Sequence, residues 1–384
     1  MDRYLKFLEK EVRICARKRL CSGSGVFGSL RKCETSKIKK FVKGGGCVMR
    51  KLVGFGLVVI VVLALLLGLC SSSAFGEVRK VKVGLSWNEK LHSLIQAWED
   101  YMIQYSKEYG KEKGLEFEWI VTVADSDPVQ QAANIENLIA QGVDIIIARA
   151  HDAAAIGASI KAAREAGIPF VTFDRECSTE VPTAHVGADS YNQAVTTALY
   201  FAGLLKGLGI KGKVIEVMGD LRDMNAVYRS KGWHYVEDLL GAWETIAQVP
   251  TEWNPEKFYT GVKNALQAHP EANALFVHSD FCFSAVEKAL TELGRLAPVG
   301  DPKHIWIAAQ DVNPQGYDAM VKGYIDVATT YDAYFHAVEA VKVITSILLG
   351  EEVPKGQKFL VAGRVATPDN VEKLENMWAR EYKD

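Results

Sequence analysis

Residues 127–175 read DPVQQAANIENLIAQGVDIIIARAHDAAAIGASIKAAREAGIPFVTFDR, and this stretch sets the fold class. Ile135, Leu138 and Ile139 are spaced i, i+3, i+4, the spacing of one helix face. Gly142 ends that helix, because a left-handed residue costs glycine little. Val143–Ala148 is a short run of mostly branched apolar residues, as in a strand covered by helices on both faces. Asp152 can cap the next helix, which is Ala-rich, ends at Gly167 and cannot continue past Pro169. Phe170–Phe173 is the next strand. It delivers Asp174 and Arg175 to its carboxyl end, where ligands bind in an open α/β sheet.

The same alternation extends over most of the chain after Glu77. Strands are expected at Val81–Leu85, Glu118–Val123, Val143–Ala148, Phe170–Phe173 and His185–Val186. Further strands are expected at Val214–Met218, Thr245–Val249, Ala274–Val277, Trp306–Ala309 and Val327–Thr330. Helical patterns lie between them, among them Leu91–Tyr109, Asn192–Leu205, Ala226–Leu240, Pro255–Ala268, Ser284–Gly294 and Tyr334–Leu349. Regular alternation implies mainly parallel sheets with right-handed crossovers. Ten strands exceed what one open sheet usually carries, so the expected fold is α/β with two doubly wound parallel-sheet lobes.

Charge is distributed unevenly along the 384 residues. Residues 1–48 carry thirteen Lys or Arg against four Asp or Glu. Residues 77–384 hold 30 basic and 43 acidic side chains, a net of −13. An acidic body argues against a nucleic-acid partner, which needs a concentrated basic face. Five of the seven cysteines precede residue 77. Cys177 and Cys282 remain, and the sequence alone does not place their Cα atoms within bonding range; two unpaired small hydrophobes are expected.

Met49-Arg50-Lys51 precedes Leu52–Leu69, an uncharged and almost wholly apolar run, followed by SSSAFG at 71–76 with Ala74 and Gly76 at small-residue cleavage positions. This is the order of a secretory signal, so residues 49–76 are expected to export the protein. Eighteen apolar residues also just suffice to span a bilayer, which makes a retained anchor the alternative. Cys70 raises lipidation as a third option, although Leu69 stands where bacterial lipoprotein signals usually carry a small residue. Residues 1–48 precede the basic start of that signal. Codons for Lys43-Gly44-Gly45 can spell a purine-rich ribosome-binding site, so this segment is expected to be untranslated leader or, alternatively, a basic tail.

Several chemistries lack their motifs. The eight histidines are dispersed, with no His-x₃-His or Cys-x₂-Cys spacing, so no metal site is expected. Gly23, Gly25 and Gly28 match a dinucleotide fingerprint but follow no strand, and there is no Walker loop. No Gly-x-Ser-x-Gly elbow occurs. No cofactor is expected. Instead, polar and aromatic residues recur just after strands: Trp87 and Asn88, His151, Asp174 and Arg175, Asp223, Asn225 and Arg229, Trp253, Ser279, Gln310 and Asp311, and Asp332. An aromatic ring can stack on the C–H face of a sugar, while carboxylates, Asn and Arg satisfy its hydroxyls.

Four segments carry a specific resemblance: D-P-x-x-Q…N-I-E-x-L-I-A-Q-G-V-D at 127–144, A-G-I-P-x-V-T-x-D-R at 166–175, R-S-K-G-W at 229–233 and Q-A-H-P…H-S-D at 267–280. Over residues 79–370 the chain resembles type I periplasmic sugar-binding proteins of the ribose, galactose and xylose group, the solute-binding components of ABC importers. The resemblance implies two lobes joined by a three-crossing hinge, with a sugar in the cleft. It assigns residues 77–187 and 333–360 to one lobe, 188–332 and 361–384 to the other. Family pocket positions fall on Asn88, Asp174, Arg175, Arg229, Trp253, Asp311 and Asp332, with Asp223 and Asn225 at more variable ones. The chain departs from the family at Ser279, where Asn is common, at Gln310, where an aromatic is common, and at Lys90 and Leu91, where paired aromatics are usual.

The implied function is a non-enzymatic, extracytoplasmic monomer that captures a sugar, closes about its hinge and delivers the sugar to a membrane permease. The competing readings are a sugar-sensing regulator or chemoreceptor partner, and a sugar-acting enzyme.

Overall fold

Asp127 starts the first helix of the deciding stretch by accepting a hydrogen bond from the Val129 amide at 2.8 Å, with Pro128 at the first helical position. The helix ends before Gly142, whose φ of +66° turns the chain toward the next strand. A side chain would be strained in that conformation. The computed structural model describes residues 78–90 and 92–382. The expected leader or basic tail at 1–48 and the expected signal at 49–76 lie outside the described residues.

The first lobe is built from β1 (Arg79–Trp87), α1 (Ser93–Lys113), β2 (Leu115–Val123), α2 (Pro128–Ala140), β3 (Ile145–Ala148), α3 (Ile156–Glu165), β4 (Phe170–Phe173) and β5 (Ala184–Ala188). The second contains α4 (Ser190–Gly207), β6 (Gly212–Met218), α5 (Met224–Leu240), β7 (Trp243–Pro250), α6 (Pro255–Ala268), β8 (Ala274–Val277), α7 (Phe283–Glu292), β9 (Trp306–Asp311), α8 (Pro314–Val321) and β10 (Val327–Thr330). The chain then supplies α9 (Ala333–Leu348) and β11 (Gln357–Val361) to the first lobe and β12 (Val365–Ala366) to the second.

The two six-stranded sheets have matching orders, β11-β5-β4-β3-β1-β2 and β12-β10-β9-β8-β6-β7. All neighbours pair in parallel except β12, which runs antiparallel to β10. In each sheet the order reverses beside the first strand, and the crevice at the carboxyl ends of β1 and β3, or of β6 and β8, is the natural ligand position. The chain crosses between lobes after β5, after β10 and between β11 and β12. The short strands β11 and β12 were absent from the sequence expectation. β11 is an edge strand with little burial, so it has no apolar pattern to announce it.

One face of each sheet packs on long helices. Val81, Val83, Leu85 and Trp87 alternate along β1 and share a fully buried cluster with Ile95 and Trp98 of α1. Under α4 and α5 the equivalent layer contains Phe201, Trp233, Trp243, Val214 and Phe276. The last residues tie the parts together. Trp378 is buried and donates its indole N–H to the Tyr331 carbonyl at 2.9 Å, and Tyr101 of α1 donates to Glu381 at 2.7 Å. Cys177 and Cys282 are free thiols in different lobes.

Candidate functional site

Asp174 is the centre of the cleft between the sheets. It follows β4 and has φ +63°, a left-handed conformation that Asp tolerates better than most residues. Its carboxylate accepts from Arg149 Nε at 2.5 Å, from the Tyr331 hydroxyl, and from Asn225 Nδ2 at 3.2 Å. Burial alone would raise the Asp174 carboxyl, but Arg149, Arg175 and the Tyr331 hydroxyl outweigh it and hold the group below the usual carboxylate range. Arg149 also donates to Asn88 Oδ1 at 2.6 Å and to Glu89 Oε1 at 3.3 Å.

The second lobe presents a matching set. Asp223 caps α5 by accepting from the Asn225 amide at 3.0 Å, and its other oxygen accepts from Trp253 Nε1 at 3.1 Å. Arg175 Nε reaches across to within 2.9 Å of Asp223, an ion pair in which the N–H is not aimed at the carboxylate. Arg229 donates to both oxygens of Asp311, at 2.6 and 3.2 Å, and to the His278 carbonyl. Burial pushes the Asp311 carboxyl up against the opposing pull of Arg229.

These groups line a cavity of about 640 Å³, together with Ser279, His151, Trp98 and Phe281. Behind its surface, Trp98 Nε1 and Arg229 Nε of two lining residues are buried without a protein acceptor. Trp253 packs directly on Gly219, where an added Cβ would lie 2.0 Å from the ring. Gly219 is therefore required for the ring to sit against the cleft. No group of ligating side chains fit for a metal ion occurs among the described residues.

Ten of the thirteen residues singled out from sequence line this cavity; Trp87, Gln310 and Asp332 do not. Trp87 continues the inward face of β1, lies flat against Trp98 at 6.3 Å and donates to Glu99 at 2.7 Å. Gln310 points beneath α4 and donates to Thr197 at 3.0 Å. Asp332 starts α9 and forms a two-pronged pair with Arg364, at 2.5 and 3.1 Å. Arg149, Tyr331, Trp98, Glu89 and His92 line the cavity and were missed. Arg149 and Tyr331 directly follow β3 and β10, so their position was the available signal. Asp152 and Asp280 hold backbone rather than face the cavity. Asp152 caps the turn before α3, accepting from the Ala154 and Ala155 amides at 2.8 Å. Asp280 is buried and holds the loop after β9 by accepting from the Val312 and Asn313 amides.

A model of the periplasmic binding protein domain matches residues 84–352. The chain belongs to this family. Among relatives of this periplasmic binding protein, the D-apiose import binding protein of Paraburkholderia graminis is 26% identical over 264 residues, 68% of this chain and 81% of the relative. The ribose import binding protein of Escherichia coli is 25% identical over 239 residues, 62% and 77% of the two chains. A solute-binding protein of an ABC transporter from Bacillus halodurans, solved with myo-inositol, superposes with a TM-score of 0.67 at 24% identity, covering 78% of this chain and 98% of the other. That likeness shows the two-lobed fold.

Proposed function

We propose that this periplasmic binding protein is the sugar-capturing component of an ABC importer. It takes a neutral sugar into the cleft, closes about the three crossings and presents the loaded form to a membrane permease. The observation that carries this reading is the arrangement of Asp174–Arg149 and Asp311–Arg229 around one cavity, with Trp253 beside them. Each buried cation has a carboxylate partner, so the site offers many directional donors and acceptors with little uncompensated charge. That suits hydroxyl groups better than a phosphate or carboxylate ligand. The import-binding names of the relatives support the same reading.

In this reading Asn88, Asp174, Arg175, Asp223, Asn225, Arg229, Ser279, Asp311 and His151 bind hydroxyls and Trp253 stacks on the ring. The lobes comprise residues 77–187 with 333–360, and 188–332 with 361–384. The protein acts as a monomer outside the cytoplasm, exported by residues 49–76, makes no contact with nucleic acid and alters no bond in its ligand. Mass spectrometry of the small molecule released by denaturing the purified protein tests this directly. We expect a neutral sugar, recovered unchanged, and calorimetric binding from a neutral panel led by D-ribose and D-apiose. A released nucleotide or amino acid, or conversion of the sugar on incubation, would refute it.

A further inference from the structure

On the face of the second sheet beneath α4 and α5, Glu216 on β6 and His278 at the end of β8 are both fully buried beside the apolar layer of Trp233 and Phe276. Glu216 Oε1 accepts from His278 Nε2 at 2.8 Å. Its Oε2 accepts from Gln248 at 2.7 Å and from His234 Nε2 at 3.0 Å. The other ring nitrogen of His234 faces Glu237 at 2.8 Å, so both nitrogens meet carboxylates and the ring is held as an imidazolium. A buried ion pair is weak evidence for stability, because well-packed apolar residues usually do as well. What this pair touches is therefore informative.

His278 faces the cleft side through two other groups. Since Nε2 must donate to Glu216, Nδ1 is the acceptor, and the Gly219 amide lies 3.4 Å from it. Its carbonyl accepts from Arg229. Gly219 is the floor on which Trp253 packs. Two groups that face the cavity from the second lobe, Arg229 and Trp253, thus rest on one buried histidine.

We propose that Glu216 is a positioning residue for ligand binding: through His278 it fixes Arg229 and the Gly219–Trp253 contact, with His234 at the outer edge as its counter-ion. This rests on the reading that Arg229 and Trp253 hold the sugar. It assigns a binding role to residues that touch no ligand and lie behind the cavity.

The test combines two readouts. In the ligand-free protein, the Trp253 indole N–H signal, assigned with Trp253→Phe, should move in Glu216→Gln and in His234→Gln. The signal of Trp119, in the other lobe, should stay in place. His269→Gln, at a surface histidine paired with Glu271, should move neither. With the sugar of the panel that binds best, Glu216→Gln should weaken affinity about tenfold, within the range for coupled neighbours. Adding it to Arg229→Lys should cost less than the product of the two single losses. An unmoved Trp253 signal in both network variants, or losses that simply multiply, would overturn the proposal. If Glu216→Gln does not fold, His234→Gln decides by the same signal. If no sugar binds the native protein, the proposed function fails, while the indole spectrum still decides the positioning role.

Discussion

Asp174 and Asp311 occupy corresponding places in the two lobes. Asp174 directly follows, and Asp311 closes, the third strand of its sheet, counted from β11 and β12. Each has a left-handed backbone, φ +63° and +93°, and each pairs with a buried arginine. Each arginine in turn lies over an aromatic ring, Arg149 5.7 Å from Trp98 and Arg229 5.4 Å from Tyr331. Such backbone conformations cost energy and persist where the surroundings over-determine them, commonly at functional sites.

Removing one charge of such a pair should be expensive. Asp174→Asn keeps the size and the tolerance for left-handed backbone but strips the main partner from Arg149. Breaking a buried pair typically costs 3–5 kcal/mol. Glu89, 3.3 Å from Arg149, shares that charge, so a loss nearer about 3 kcal/mol is expected in urea unfolding, with sugar affinity reduced as well. A change below about 0.5 kcal/mol, the level of neutral surface substitutions, would show that the pair is not strained by losing its anion.

Trp253→Ala should weaken sugar binding by about 1–3 kcal/mol while leaving the thermal transition nearly in place, as expected for one buried aromatic contact. Gly219→Ala should reproduce the loss with the tryptophan still present, because the new Cβ would occupy the ring's position. Calorimetry on both variants separates the ring from its support; native affinity in either removes the stacking role.

The errors in reading the site follow one physical pattern. Trp87 and Asn88, Gln310 and Asp311, and Tyr331 and Asp332 are three adjacent pairs at strand ends, and one member of each faces the cavity. Successive side chains on a strand point to opposite faces, so the position of a strand end is legible in sequence while the member that turns into the cleft is not. In β9 the left-handed Asp311 changes direction just where the choice is made. The element pattern itself was legible because it rests on local glycine, proline and apolar spacing. The network of Glu216 and His278 was not, since it joins residues from four elements and has no spacing of its own.

Arg229→Ala should reduce sugar affinity far more than Lys322→Ala. Arg229 is buried and its removal leaves Asp311 and the His278 carbonyl unpartnered, whereas Lys322 is exposed at the end of α8. Losing one partner of a buried charged hydrogen bond exceeds the worth of the bond itself. Comparable titration curves for the two variants would take Arg229 out of the site.

Stability should fall on both sides of neutrality for identifiable reasons. Hydrogen bonds to Glu216 and Glu237 raise His234 to about 10. A raised folded value means that this contribution is complete below the unfolded value of about 6.5 and is lost as pH rises through 10. His336 behaves oppositely. Burial lowers it to about 4 against the pull of Asp174 and Asp332, so its contribution is present above about 6.5 and erodes as pH falls toward 4. In thermal melts across pH, His234→Gln should flatten the alkaline limb and leave the acid limb; an unchanged alkaline limb would rule out the Glu216–His234 pair as its origin.

Closure can be tested at Tyr331. Its hydroxyl donates to Asp174, and Asn225 of the second lobe donates to the Asp174 carbonyl at 3.1 Å, so these bonds cross the cleft. We expect them to break when the lobes part. A ligand shifts the lobes by its differential affinity for that state, so sugar should reduce the radius of gyration in solution scattering. Tyr331→Phe removes one bond to a charged acceptor, worth about 1.5–3 kcal/mol, from the closed form alone. Apparent sugar affinity should therefore fall by about tenfold or more, and saturating sugar should still produce the compact form, because the hinge itself is intact. Native affinity in Tyr331→Phe would mean that this bond contributes nothing to the sugar-bound state, and the closing force would have to come from the ligand's own contacts with both lobes.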